Sequence, residues 1–238
     1  GNRIIRAADD AAGLGVATRL SSQLRGLDQS IRNANNGVAL IQTAEGGLNE
    51  ISNILMRLRE LGVQAASDTV GDTERSMLAI EYQELVEEAE RITEATTFNS
   101  NQVLSSDSAG MLDFQVGAFD GEEFRITYDP DDLSTGETTL DIVISGIDTK
   151  EEALDSLSLI DSSLTTVNEQ RAGLGALQGR LQSAVTSIED SRINQNRALS
   201  LIRDVDVADS IATLISAKVT HTSGLVALNA SHTSAKNI

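Results

Sequence analysis

From Leu20 to Leu61 small and medium aliphatic residues recur at spacings that alternate between four and three. The series runs Leu20, Leu24, Leu27, Ile31, Ala34, Val38, Ile41, Ala44, Leu48, Ile51, Leu55, Leu58 and Leu61. A period of about 3.5 residues, held over about six heptads, specifies a helix whose apolar seam faces another helix continuously. Asn33, Asn35, Asn36 and Gly37 are poor helix formers inside this run. The seam nevertheless passes straight through them. Composition agrees with a fold built on such seams: among 238 residues there is one proline (Pro130), no tryptophan, four Phe and two Tyr. Narrow aliphatic seams need no large side chains, and a chain almost without proline has few helix breakers.

Val70-Gly71-Asp72 is a plausible stop, with Asp72 or Thr73 capping a second helix over 74–96. In that helix Leu78, Tyr82, Leu85, Ala89 and Ile92 keep the four-three spacing, while Glu81, Glu84, Glu87, Glu88 and Glu90 read as a solvated acidic face. The period then changes to two. Leu112, Phe114 and Val116 alternate, Asp120-Gly121 marks a hairpin turn, and Phe124, Ile126 and Tyr128 alternate again, with a third strand expected at 139–145. From Lys150 the helical period returns: Leu157, Ile160, Leu164, Val167, Leu174, Leu181, Val185 and Ile188 form a seam with Arg171 and Gln178 as polar members. It continues loosely through Leu199, Ile202, Val205, Ile211 and Leu214. The fold class expected is mainly α: a long antiparallel coiled-coil rod with a small β subdomain in the middle of the chain. Its divisions are 1–98 (two helices), 99–149 (the β subdomain), 150–203 (the second rod helix) and 204–238 (a C-terminal segment).

Chemistry is hard to place on this chain. The formal charge of −18, from 36 acidic and 18 basic residues, repels phosphate backbones and anionic membrane surfaces, which disfavours nucleic acid and membrane as partners. No cysteine is present, so disulfides, thiolate metal sites and cysteine nucleophiles are excluded. No run of 18 apolar residues and no signal-peptide core is visible. Phosphate-binding, dinucleotide and zinc-protease motifs are absent. His221 and His232 lie apart in a polar C-terminal stretch and read as exposed residues rather than a metal site. Asp9 and Asp10 are adjacent, so on a helix they diverge by about 100° instead of flanking one pocket. Neither a catalytic pair nor a cofactor is expected, and the chain reads as a non-enzyme.

Two mixed-sign clusters stand near the two ends: Arg3, Arg6, Asp9 and Asp10, and Arg203, Asp204 and Asp206. If the terminal helices pair antiparallel, the clusters meet, with Arg3 and Arg6 opposite Asp204 or Asp206, and Asp9 and Asp10 opposite Arg203. They read either as solvated charges of little energetic weight or as charges that set register against another subunit, which the surrounding small residues allow to approach.

The stretch from Arg3 to Ala66, RIIRAADDAAGLGVATRLSSQLRGLDQSIRNANNGVALIQTAEGGLNEISNILMRLRELGVQAA, resembles the N-terminal half of bacterial flagellin. TFNSNQVL and FQVGAFDGEEFRI resemble the family's β region, and LIDSSLTTVNEQRAGLGALQGRLQSAVTSI and IRDVDVADSIATL its C-terminal helix and the stretch after it. The resemblance implies a structural subunit that polymerises with other copies into the extracellular flagellar filament for motility. It implies export through the flagellar type III apparatus without a cleavable signal, with an export chaperone and a filament cap as partners. The family's long N-terminal helix would precede Gly1, its outer variable domains look absent, and KVTHTSGLVALNASHT departs from the family's usual C-terminal pattern. The clusters fall where the rod meets the filament core, which the resemblance makes a subunit-packing region. It further implies an innate immune partner, the flagellin-sensing toll-like receptor, at positions matching Arg57, Leu61, Gln64 and Glu81. The alternatives carried forward are a hook–filament junction protein and a non-flagellar coiled-coil adaptor.

Overall fold

The computed structural model describes residues 1–104, 111–129 and 146–236, with residues 229–236 described by their backbone alone. The strand expected at 139–145 lies outside the described residues. The elements in chain order are α1 (Ala11–Ala65), α2 (Asp72–Ala95), β1 (Thr97–Phe98), β2 (Asn101–Gln102), β3 (Leu112–Gln115), β4 (Arg125–Tyr128), α3 (Lys150–Arg203) and α4 (Val207–Lys236). The chain is mainly α, as the periodicities predict, and the described residues form two small antiparallel sheets. It divides into two compact units, one of Gly26–Asp190 and one of Gly1–Arg25 with Ser191–Ile238.

Within Gly26–Asp190, α1 and α3 run antiparallel. Gly37 faces Leu181 and Gly62 faces Leu157, and Arg59 reaches Asp161 at 2.8 Å. The seam residues of α1 from Leu27 to Leu61 are buried, except Ile31 and Val38, which are partly buried. On α3 the positions Ala153, Ile160, Val167, Leu174, Leu181 and Ile188 are all buried. They are seven residues apart and form one line. The line four residues on, Leu157, Leu164, Arg171, Gln178 and Val185, is only half-buried. Two polar residues stand at that rim, where a long side chain can cover apolar surface, although Arg171 Nε is itself buried without a hydrogen bond.

The poor helix formers of α1 have a tertiary explanation. Gly26, Asn33 and Gly37 fall on one face of the helix by their spacing. That face receives the β3–β4 hairpin. Ala118 sits over Gly26, Phe114 sits over Gly37, and Asn33 Nδ2 donates to the Gln115 carbonyl at 3.1 Å. A two-stranded sheet is not stable alone, so α1 gives up local propensity to hold it. Phe114 pairs with Ile126 in the β3–β4 register. The chain between these strands is longer than a tight two-residue turn at Asp120-Gly121. Val116 N still donates to the Phe124 carbonyl at 2.8 Å, and a 3-10 turn at Glu122–Phe124 closes the loop. The Tyr128 hydroxyl donates to the Val103 carbonyl, and burial pushes its phenol up to about 12. The β1–β2 hairpin was not foreseen; its turn residues Asn99 and Ser100 both take positive φ, 51° and 69°, as a primed two-residue turn requires.

The α1–α2 corner also departs from expectation. The cap of α2 is Gly71, with no side-chain hydrogen bond, rather than Asp72 or Thr73. Asp72 instead pairs with Arg75 at 2.9 Å. Arg75 is buried, and its guanidinium donates to the Ala65 carbonyl at 2.9 Å and the Val70 carbonyl at 3.1 Å. It thus satisfies one carbonyl that the end of α1 leaves open and one in the loop that follows. On α2, Tyr82 and Ala89 are buried as predicted, and Val86 and Thr93 join them. Burial raises the Tyr82 phenol to about 12.

The helix–hairpin contact is testable at Gly37, where an added Cβ meets Leu181 and Phe114 at 3.1 Å. Gly37→Val overfills that contact and is expected to lower stability by about 1–3 kcal/mol, read from the shift in urea midpoint. An unchanged midpoint shows that the hairpin does not bear on α1.

Candidate functional site

The terminal clusters do come together, inside the unit of Gly1–Arg25 and Ser191–Ile238. Backbone pairing joins them. Arg3 N donates to the Arg203 carbonyl at 2.6 Å, Val205 N donates to the Gly1 carbonyl at 2.9 Å, and Asn2 and Asp204 form an antiparallel bridge. The Arg3 guanidinium donates to the Ile202 carbonyl at 2.7 Å. The N-terminal segment thereby satisfies carbonyls at the end of α3 that have no intrahelical partner.

The expected ion pairs between clusters are not what forms. Asp9 accepts from the backbone amides of Ile5 and Arg6 at 3.0 and 2.9 Å, and these bonds, Arg6 first, hold its carboxyl below its ordinary value. Asp10 accepts from Gly13 N at 2.8 Å and caps α1. Asp206 accepts from Ala208 N and Asp209 N at 2.9 and 3.2 Å and caps α4. Arg203 Nε stands 3.6 Å from Asp204 Oδ1, close enough for charge attraction and too far for a hydrogen bond. Asp204 Oδ2 accepts from Ser200 at 2.9 Å. Arg6 makes no side-chain bond to either aspartate. Backbone amides at most four residues away take up these carboxylates, at helix N-termini for Asp10 and Asp206 and in the turn before α1 for Asp9. Those local partners win over distant arginines.

The reason for small residues around the aspartates is partly visible. An added Cβ at Gly13 would meet Ile4 Cδ1 at 2.8 Å and the Asp10 carboxylate. Ile4, Ala17 and Leu199 are buried there, while Ala7, Ala8, Ala11 and Ala12 are exposed.

Arg57, Gln64 and Glu81 are exposed. Arg57 donates to Glu81 at 3.1 and 2.7 Å and to Glu60 at 2.9 Å, and the bond to Glu81 contributes most to raising its pKa. Leu61 is 1% exposed. It belongs to the α1 seam and offers no surface to a receptor, which corrects the reading of that position. The sequence marks it twice, once for the seam and once for the motif, and burial decides between them. His221 is exposed. Among the described residues no group of three His, Cys, Asp or Glu could hold a metal.

On α4, Val207, Ile211, Leu214, Ile215, Val219, Leu225 and Val226 are all exposed. By length and composition the segment Val207–Leu228 is apolar enough to cross a membrane, and none of it is buried. A search for unbroken apolar runs misses it, because Asp209, Lys218 and several Ser and Thr interrupt it.

A flagellin N-terminal helical region model matches residues 1–109, and a flagellin C-terminal helical region model matches 157–235. The chain belongs to the bacterial flagellin family. It is 42% identical over 208 residues to a flagellin of Halalkalibacterium halodurans, covering 87% of this chain and 75% of that protein. It is 35% identical over 248 residues to the flagellar filament 30.7 kDa core protein of Treponema maltophilum, covering all of this chain and 87% of the relative. Among solved structures, Bacillus cereus flagellin matches with a TM-score of 0.57 at 26% identity, over 66% of this chain and 88% of that one. A putative flagellar hook-associated protein of Vibrio parahaemolyticus matches at TM-score 0.69 and 14% identity, over 82% and 99%. That likeness shows a shared fold alone.

Asp9 supplies a pH test. Its folded pKa lies below 3.8, so its two amide bonds stabilise the segment fully above that value and are lost as pH falls through the lower, folded one. NMR titration is expected to place the Asp9 carboxyl below its ordinary range, with amide exchange at Ile5 and Arg6 accelerating once it protonates. A titration at the ordinary value sinks this account.

Proposed function

We propose that the chain is a structural subunit of the bacterial flagellar filament, polymerising with copies of itself outside the cell. The observation that carries this reading is the match of both terminal regions to the flagellin models, together with relatives named as filament core proteins that span the whole chain. Flagellin relatives over the full length favour the filament over the hook–filament junction or an unrelated adaptor. The exposed apolar surface of α4 suits burial against other helices better than a bilayer, since Lys218 sits mid-segment and charge at the centre of a membrane helix is costly. In this reading export needs no cleavable signal, and a chaperone and a filament cap attend it. Of the subunit-packing residues, Asp9, Asp10 and Asp206 act indirectly by shaping their segments, while Arg203 retains capacity toward a neighbour.

The assembly test is electron microscopy combined with sedimentation. Long filaments are expected, and polymer yield rises with ionic strength because subunits of net charge −18 repel one another at low salt. A product that stays monomeric at all salt concentrations overturns the reading.

The receptor surface reduces to Arg57, Gln64 and Glu81. The observation favouring it is the Arg57–Glu81 pair at 2.7 Å, which unites residues of α1 and α2 into one exposed patch. Monomer is expected to activate cells bearing the flagellin-sensing receptor, with Arg57→Ala raising the half-maximal dose about tenfold, the size typical of a contact anchor. Silence of the unmodified chain sinks this second role.

A further inference from the structure

Most arginines whose bonds can be traced here are saturated. Arg57, Arg59, Arg75, Arg91 and Arg125 each hydrogen-bond a carboxylate within the chain. Arg25 and Arg203 hydrogen-bond no carboxylate among the described residues, as is true of Arg6 and Arg19, and these two share a groove. Leu14, Ala17, Thr18, Ser21, Ser22, Arg25 and Arg203 line it, with a volume of about 290 Å³ in the unit of Gly1–Arg25 and Ser191–Ile238. Arg25 is exposed and makes no ion pair among the described residues. Arg203 Nε is buried without a hydrogen bond, with the Asp204 carboxylate 3.6 Å away. Thr18 turns its hydroxyl to the Leu14 carbonyl, so it does not compete for an incoming anion. The groove therefore sets two guanidinium groups that hydrogen-bond no carboxylate beside Leu14 and a run of small and hydroxyl-bearing side chains, on a chain whose net charge is −18.

The complementary surface is on α2. Met77 and Ile80 are 65% and 66% exposed, and Glu84 follows them at helical spacing, so the three share a face. Three neighbouring carboxylates are engaged: Glu81 with Arg57, Glu87 with Gln83 and Glu88 with Arg91. Glu74, Glu84 and Glu90 have no partner among the described residues, and of these Glu84 shares a face with both Met77 and Ile80. Two exposed apolar side chains and a free carboxylate on one face suit a groove that holds Leu14 and two guanidiniums.

We infer that the Arg25–Arg203 groove receives the Met77–Ile80–Glu84 face of a second copy of this chain, with the Glu84 carboxylate seated between the two guanidiniums. The inference rests on the filament-subunit reading and names the residues of one of its contacts. The contact is heterologous: each copy presents the groove to one neighbour and the α2 face to another, so it propagates instead of closing a dimer. A guanidinium pair and a carboxylate at a partly desolvated interface set register more than they set affinity.

Charge exchange tests it on the full flagellin chain, purified and polymerised on filament seeds. Arg25 and Glu84 are exposed, and the monomer's helical circular dichroism and melting temperature check that each variant folds. Arg25→Glu and Glu84→Arg are each expected to lower sedimentable polymer at least about tenfold, because like charges then face each other. The double variant Arg25→Glu/Glu84→Arg restores the opposite charges and is expected to recover polymer to within about threefold of the unmodified chain. Folded single variants that polymerise normally overturn the contact, and so does a double variant no better than the singles. If the unmodified chain forms no polymer, the subunit reading itself falls and the contact falls with it.

Discussion

Everything described in Gly26–Asp190 depends on the antiparallel burial of one aliphatic line on α1 against one line on α3. The α3 line is complete: Ala153, Ile160, Val167, Leu174, Leu181 and Ile188, every seventh residue, all buried. A repeat of about 3.5 keeps that line turned toward its partner along the whole length, where an unmatched period would rotate it into solvent. The other elements are subordinate to it. The β3–β4 hairpin has no independent stability and lies against the α1 face at Gly26, Asn33 and Gly37. Arg75 ties the α1–α2 corner by closing carbonyls at the end of α1.

Several residues that look like local mistakes record where tertiary structure overrules propensity. Asn33 and Gly37 weaken α1 as a helix, and both are contact points for the hairpin. Arg75 is an arginine in a buried position, and its donors go to backbone acceptors that helix geometry cannot serve. Arg171 and Gln178 break the α3 seam only on its half-buried rim. Local rules fail at positions where another element has to dock.

The candidate surfaces were legible to different degrees. That the two charged clusters meet follows from an antiparallel arrangement. How they meet does not, because the joining bonds are backbone pairs between Gly1–Arg3 and Arg203–Val205, and a short backbone bridge leaves no side-chain signature. Asp10 and Asp206 were drawn off as helix caps and Asp9 by the amides of its own turn, a competition settled within four residues. Arg57 and Glu81 could be found only through family likeness, and their mutual ion pair only in the structure, since they lie on different helices. Leu61 satisfied two patterns at once, and only its burial separates seam from surface.

The sequence by itself determined the long helices up to residue 203, the seam that pairs two of them and the absence of cysteine chemistry, but not the separate helix α4. These are carried by periodicity or composition, which depend on residues near one another in the chain, while membership of the flagellin family is carried by its motif stretches. Tertiary structure decided which polar groups are spent internally and which remain open: Asp10 and Asp206 as caps, Asp9 on the amides of its own turn, Arg57 with Glu81, and Arg25, Arg203 and Glu84 without full partners. A hydrogen bond is set by angstrom-scale positions of groups that can be 200 residues apart in order, as Arg3 and Ile202 nearly are. No spacing rule along the chain reaches that far.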